Sequence, residues 1–292
     1  MTFPPQVLLI LATILWGGNF VIGRSVTGEI PPITLAFLRW CLAFIVFLPI
    51  VYKQVKRDLP IFRENWKIIL VLGFTGVATY NTLVYIGVYY TTSINASLMN
   101  SLTSILIYIL SFIFLKVTVS KNQVIGTIIS ILGVLFILSR GELSNILSLT
   151  FNKGDLIVLI AVLSWSVYTL LVNKYSSVLP GFSTFLVSIA VGAVILFPIS
   201  MIELATTTTP VTWSGHTIFA ILYVGIFASI VAFLSWNRGV VKIGANRASI
   251  YLNFIPVFAT IFATVFLGEQ LQLAQIIGGL AVIGGVILAN RG

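Results

Sequence analysis

Ser97, Ser101, Ser104, Tyr108 and Ser111 recur three or four residues apart in one long apolar stretch, with Asn100 beside them. That spacing places the five on one face of a helix. A second stretch carries Ser249, Asn253, Pro256 and Thr260. Hydroxyls and carboxamides both donate and accept hydrogen bonds, so such faces can hold and release a polar solute with no covalent step. Hydrocarbon offers polar groups no partner, so they turn toward protein or a wet cavity. Small hydroxyl residues also let helices pack closely, and for any one serine that reading stands. Asn100 and Asn253 are harder to hide and read as cavity lining.

Aromatic and amide groups sit among the same spans: Trp16 with Asn19, Tyr80 and Asn81 with Tyr85, and Trp165 with Tyr168. Trp66, Trp213 and Trp236 suit the belt where a span meets water. A cavity walled by aromatic, Asn and Ser groups suits a small neutral, zwitterionic or aromatic solute. It lacks the pair of basic residues expected to grip a phosphate or dicarboxylate.

Arg39 is the one basic residue within a span. An unpaired charge at that depth costs roughly 2.5–3.5 kcal/mol on insertion scales, so Arg39 either caps helix carbonyls or serves as a gate or substrate contact. Pro256 removes a backbone hydrogen bond in mid-span, as a hinge or as a shaper of the cavity. Asp155, Glu203 and Glu269 lie near span ends, and Glu29 and Glu142 in loops. Glu269 is the candidate for ion coupling, with a cap or loop ion pair as its structural alternative. Proton antiport, uniport and exchange stay open. Catalysis finds no foothold: His216 is the only histidine, near a span end, and Cys41 the only cysteine. No metal-ligand spacing is visible, and neither metal nor cofactor nor enzymatic activity is expected.

These residues need elements to position them, and composition dictates which. Hydrophobic residues make up 59% of the 292 and charged ones 8%, with a mean hydropathy of +1.11. A soluble domain carries about 25% charged residues. Apolar runs long enough to cross a bilayer fall at approximately 6–24, 33–52, 67–89, 94–115, 121–139, 155–175, 182–202, 216–237, 246–268 and 272–290. The first run lacks the basic flank and small-residue cleavage site of a secretory signal and is read as retained. The segment from Tyr52 to Trp66 reads as a solvated linker.

The chain also repeats itself. Gly87/Gly239, Ala96/Ala248, Phe114/Phe266, Gln123/Gln275, Gly126/Gly278 and Gly133/Gly285 match at an offset of 152, and Trp16/Trp165, Pro31/Pro180 and Pro49/Pro198 at 149. Two copies, 1–142 and 153–292, therefore hold five spans each. Five is odd, so the second copy enters the membrane from the opposite side and the repeats are inverted. Charge agrees: with the amino terminus inside, twelve basic residues fall on the inner side and only Arg24, Arg140 and Lys153 on the outer, as the positive-inside rule requires. The net charge of +9 thus reports orientation, and no nucleic-acid partner is implied.

Local motifs carry a resemblance. Trp16-Gly17-Gly18-Asn19-Phe20-Val21-Ile22-Gly23-Arg24, Leu38-Arg39-Trp40 after Pro31-Pro32, Trp236-Asn237-Arg238-Gly239, Asn253-Phe254-Ile255-Pro256 and Phe266-Leu267-Gly268-Glu269 resemble, in order, signatures of the EamA family of the drug/metabolite transporter superfamily. Ser104 stands where the second copy has Pro256, and Lys116-Val117 where it has Gly268-Glu269, so the halves are unequal. The resemblance implies an all-α integral membrane fold of ten helices, two inverted five-helix repeats around a central cavity, with helices five and ten peripheral. It implies a secondary transporter, an exporter of small metabolites by alternating access. A nucleotide-sugar or phosphorylated-solute exchanger is the alternative, and a membrane enzyme acting on lipid a distant one. The expected partners are a small-molecule solute and the lipid bilayer. Ala274, Gly278, Ala281 and Gly285, with Gly126 and Ser130, form small-residue faces for packing within the chain or for a homodimer through helices 5 and 10. The expected location is the cell (inner) membrane, multi-pass, with both termini cytoplasmic.

Overall fold

The computed structural model describes residues 3–26, 28–91, 96, 99–147, 152–267 and 270–291. Among these, eight helices are long and apolar enough to span a membrane: α1 (Pro5–Gly23), α2 (Pro32–Glu64), α3 (Trp66–Val88), α5 (Lys121–Leu138), α6 (Lys153–Lys174), α7 (Gly181–Thr206), α8 (Gly215–Ile243) and α9 (Ala245–Phe266). Two shorter apolar helices, α4 (Met99–Leu115) and α10 (Leu273–Ala289), complete each half. The protein is a multi-pass membrane protein of two inverted five-helix repeats. Its termini share one face of the bundle, called near below. The α1–α2, α3–α4 and α7–α8 connections lie at the far face.

Equivalent residues of the two repeats touch. The rings of Trp16 and Trp165 lie 5.3 Å apart, edge to face. A contact between a residue and its own repeat partner sits on the symmetry axis, so the axis passes between these two indoles. The same operation relates α5 to α10. A Cβ on Gly133 would fall 2.6 Å from the Gly278 carbonyl oxygen, and one on Gly278 equally close to that of Gly133. Gly126 and Gly285 meet in the same way. Only hydrogen at these four positions lets the two backbones approach so closely, and the small-residue faces are thereby occupied within the chain.

α2 and α7 form the corresponding pair at the centre, fastened at both ends. At the far face, Glu203 of α7 accepts hydrogen bonds from the backbone N–H of Ile33 (3.0 Å) and from the N–H and hydroxyl of Thr34 (2.6 and 2.8 Å). A carboxylate there satisfies the free donors that open α2. At the near face, Asp58 of α2 accepts from the Ser183 hydroxyl at 2.6 Å. Thr34 and Ser183 are repeat partners at the offset of 149. This contact corrects the solvated-linker reading of Tyr52–Trp66: α2 runs unbroken to Glu64, with Asp58 and Phe62 buried along it. Side chains on one face of that extension pack against the bundle, while Lys53, Lys56 and Arg57 stay exposed.

Regular winding is interrupted at matched places. α3 carries a π-helical segment at Gly73–Thr79 and α8 one at Tyr223–Val231. Gly73 there abuts Val191 and the Ser188 carbonyl; its partner Gly225 abuts Leu42 and the Arg39 carbonyl, again repeat equivalents. α9 has a 3₁₀ turn at Ile250–Asn253 just before Pro256, and α4 breaks at Leu102, whose N–H bonds the Met99 carbonyl at 3.1 Å. Pro256 therefore does not by itself cause the break, because the first half has one with serine at that position. A tightened turn simply suits a residue that lacks an N–H. Interrupted helices at mid-depth gather where inverted-repeat proteins bind ligands.

Candidate functional site

The axis runs through a layer of large rings. Trp165 contacts Trp16, Phe233 (5.2 Å) and Trp236 (5.9 Å) and stacks on Tyr168 at 5.1 Å. Trp16 also meets Phe233 at 5.7 Å and Trp236 at 5.5 Å. Each edge-to-face pair adds about 0.5–1.5 kcal/mol beyond the area buried, and the Trp16 indole N–H is tied to the Ala228 carbonyl at 3.0 Å. Trp236, expected in the surface belt, is instead fully buried here, whereas Trp66 and Trp213 are exposed. Its position seven residues before the end of α8 takes it below the surface.

A cavity of about 720 Å³ extends from this layer to the far-face connections. Its walls include Trp16, Asn19, Phe20, Tyr80, Asn81, Tyr85, Trp165, Leu252 and Ile255, with Pro31, Thr91 and Thr209 toward its mouth. Apolar walls with a few convergent polar groups are what a small-molecule site needs. A second cavity, of about 440 Å³, lies on the near side, between Tyr168, Val172, Tyr175, Leu179, Thr184, Ser188, Asn237 and Lys242. The two are images of one another. Asn19, Gly23, Val26, Ile30 and Leu35 line the first, and their partners at the offset of 149, Tyr168, Val172, Tyr175, Leu179 and Thr184, line the second.

Arg39 stands behind the far cavity and is fully buried. Its Nε donates to the Ser229 hydroxyl at 2.8 Å, and its Nη1 to Asn81 Oδ1 at 3.0 Å and to the Tyr85 hydroxyl at 2.9 Å. Tyr85 in turn donates to Asn19 Oδ1 at 3.4 Å. Hydrogen bonds to a charged group contribute about 1.5–3 kcal/mol each, so three offset the cost of the buried guanidinium. Its plane lies 5.1 Å from the Trp40 ring centre. Its Nη2 has no partner, and among the described residues no carboxylate forms an ion pair with it.

Of the residues singled out by sequence, Trp16, Asn19, Tyr80, Asn81, Tyr85 and Trp165 come together on the far cavity, and Tyr168 on the near one. Asn100 accepts a hydrogen bond from the Tyr80 hydroxyl at 3.0 Å, just behind the wall. Ser101, Ser104, Ser249, Asn253 and Pro256 are placed elsewhere, buried in a closed polar seam among α4, α5 and α9. Asn253 Nδ2 donates to Ser130 at 2.9 Å, and the Tyr108 and Thr127 hydroxyls meet at 2.8 Å. α5 thus meets each stripe at one residue, whereas Ser249 donates to the Asn246 carbonyl and the buried Ser104 and Ser111 hydroxyls have no partner among the described residues. Ser97 and Glu269 lie outside the described residues.

Asp155, Glu203 and Glu29 are engaged at the bundle's ends. Asp155 accepts from the Thr91 hydroxyl and the Asn152 N–H, and Glu203 caps α2. Glu29 faces Thr217, Ser214 and His216. Its carboxyl is held below the usual range, chiefly by the Thr217 hydroxyl, with desolvation opposing and His216 assisting. Sequence reasoning missed the near cavity, with Thr184, Ser188 and Lys242. The offset of 149 was the available signal, since it maps each far-cavity residue to a near-cavity one.

Chains with this architecture are known. The model of the EamA-like transporter family matches residues 4–139 and again 152–291. The uncharacterized transporter YyaM of Bacillus subtilis is 30% identical over 287 residues, covering 97% of this chain and 92% of the relative. An uncharacterized transporter of Archaeoglobus fulgidus is 27% identical over 290 residues, 99% of this chain and 98% of its own. A solved crystal structure, 19% identical, superposes with a TM-score of 0.80 over 98% of this chain and 96% of the other, a likeness of fold. A double family match, laid over two inverted repeats whose cavities mirror each other, leaves one reading: the chain belongs to the EamA-like transporter family.

Proposed function

We propose that the protein is a secondary transporter that exports small amino-acid-like, neutral, zwitterionic or aromatic solutes by alternating access. The observation that carries this reading is the pair of repeat-related cavities on opposite sides of one aromatic layer. Inverted repeats give a protein two conformations that are images of each other, with the site near the midplane. A solute held beside Trp16 and Trp165 would face one cavity, then the other, as the halves rock. The excess of basic residues on the near side supports cytoplasmic termini in the cell (inner) membrane. Among the described residues Arg39 is the one fully buried basic side chain, which speaks for such solutes over phosphorylated ones.

The experiment is uptake by purified protein in liposomes, against a panel of amino acids, nucleosides and cationic drugs, with and without a pH gradient. Accumulation of amino-acid-like solutes is expected. Absence of flux for every solute overturns the reading, and flux indifferent to the gradient removes proton coupling from it.

A further inference from the structure

We infer that the far cavity recognises a single carboxylate group of its solute and that Arg39 sets this preference. The inference deepens the transport reading and rests on it.

Arg39 does not itself border the cavity; it acts through Asn81, which does. Because Asn81 Oδ1 accepts from Arg39 Nη1, its Nδ2 must turn the other way. That Nδ2 is buried and has no partner, and neither has Arg39 Nη2. The Tyr85 oxygen also accepts from Arg39 and passes its proton toward Asn19. An unsatisfied donor thus lies just beneath the wall, backed by a permanent positive charge, with no carboxylate among the described residues to cancel it. A buried cation favours an opposite charge nearby and disfavours a like one. One guanidinium matches one carboxylate, as in a zwitterionic or monoanionic solute, and repels an amine that lacks it.

The other half makes the assignment one-sided. At the offset of 149, Ser188 replaces Arg39 and bonds the Thr184 carbonyl within its own helix. At the offset of 152, Phe233 replaces Asn81. The near cavity therefore has no buried guanidinium behind its wall; its own cations, Arg238 and Lys242, border it directly, so an anion meets different groups on the two sides.

The test measures binding, so that it stands apart from the transport assay. Thermal shift of the purified protein is recorded with leucine and phenylalanine, each compared with its decarboxylated amine, isoamylamine or phenethylamine. At least one acid is expected to bind about tenfold more tightly than its amine, the ratio that one charge-assisted hydrogen bond supplies. Arg39→Gln should abolish that ratio and Arg39→Lys retain part of it. Asn81→Asp keeps the shape and the bond to Arg39 but neutralises the charge from within. It should raise the unfolding temperature while removing the preference for the acid, and it decides the matter should Arg39→Gln not fold. Equal binding of acid and amine, no binding of any acid, or an unchanged ratio in Asn81→Asp overturns the inference. Flux without carboxylate preference would leave the transport reading intact and remove this one.

Discussion

Asn19 and Tyr168 occupy equivalent positions in the two repeats, and each is hydrogen-bonded to a residue of the other's type. Asn19 pairs with Tyr85 at 3.4 Å. Tyr168 pairs with Asn237 through two contacts, 3.2 Å from its hydroxyl to Oδ1 and 2.8 Å from Nδ2 to its oxygen. Tyr85 and Asn237 are themselves partners at the offset of 152. One Asn–Tyr link thus occurs twice with its members exchanged. It is long beside the larger cavity and short beside the smaller one. When the halves trade conformations, the short link should pass from one side to the other.

Tyr168→Phe should therefore favour opening of the near cavity. One neutral hydrogen bond is worth about 1 kcal/mol, roughly a fivefold shift between two states. In a Cys41→Ala background, a cysteine at Thr184 should react about fivefold faster with a membrane-impermeant maleimide applied to the near face. One at Leu35, its far-side equivalent, should react more slowly from the far face. Unchanged rates at both positions would sink the idea that this pair sets the balance.

The two carboxylate fastenings of α2 to α7 predict that each end of the pair matters to stability. Asp58 accepts from the Ser183 hydroxyl at 2.6 Å and pairs with Arg57 at 3.0 Å. A hydrogen bond to a charged group contributes about 1.5–3 kcal/mol, so Asp58→Ala should lower the unfolding temperature at neutral pH. Glu203→Ala, which uncaps α2, should cost about 0.5–2 kcal/mol. Unfolding temperatures of both variants equal to that of the wild type would count against this account.

The α5–α10 crossing predicts equal sensitivity in its two members. Gly133→Val and Gly278→Val each push a side chain into the facing carbonyl, and overpacking of this kind costs about 1–3 kcal/mol. Their unfolding temperatures in detergent should fall by similar amounts. Gly284→Ala, which meets open space, should be neutral or slightly stabilising, since alanine is the better helix former. A large difference between the two valine variants would argue against the close approach.

Sequence alone resolved what depends on counting. Span lengths, the odd number per copy and the offset between Trp16 and Trp165 are one-dimensional facts, and the fold follows from them. Trp16, Asn19, Tyr80, Asn81 and Tyr85 were recognisable because polar and aromatic residues deep in an apolar run have few other uses. Periodicity shows that the face from Ser101 to Ser111 is polar but not what it meets; there Tyr108 meets Thr127 of α5, and on α9 Asn253 meets Ser130. Trp236 was read as an interfacial anchor because α8 continues to Ile243, farther than its apolar run suggested. Asp58 looked like a loop charge until the length of α2 carried it to Ser183.

A pair of rings on a symmetry axis belongs to neither side. Trp16 and Trp165 face each other across that axis, so a solute arriving from either direction meets the same obstacle in mirror order. The plug has no built-in sense of forward or reverse. Any preferred direction of flow must then come from what the halves do not share, Arg39 against Ser188 above all, and from the concentrations on either side, much as a turnstile without a ratchet is steered only by the crowd.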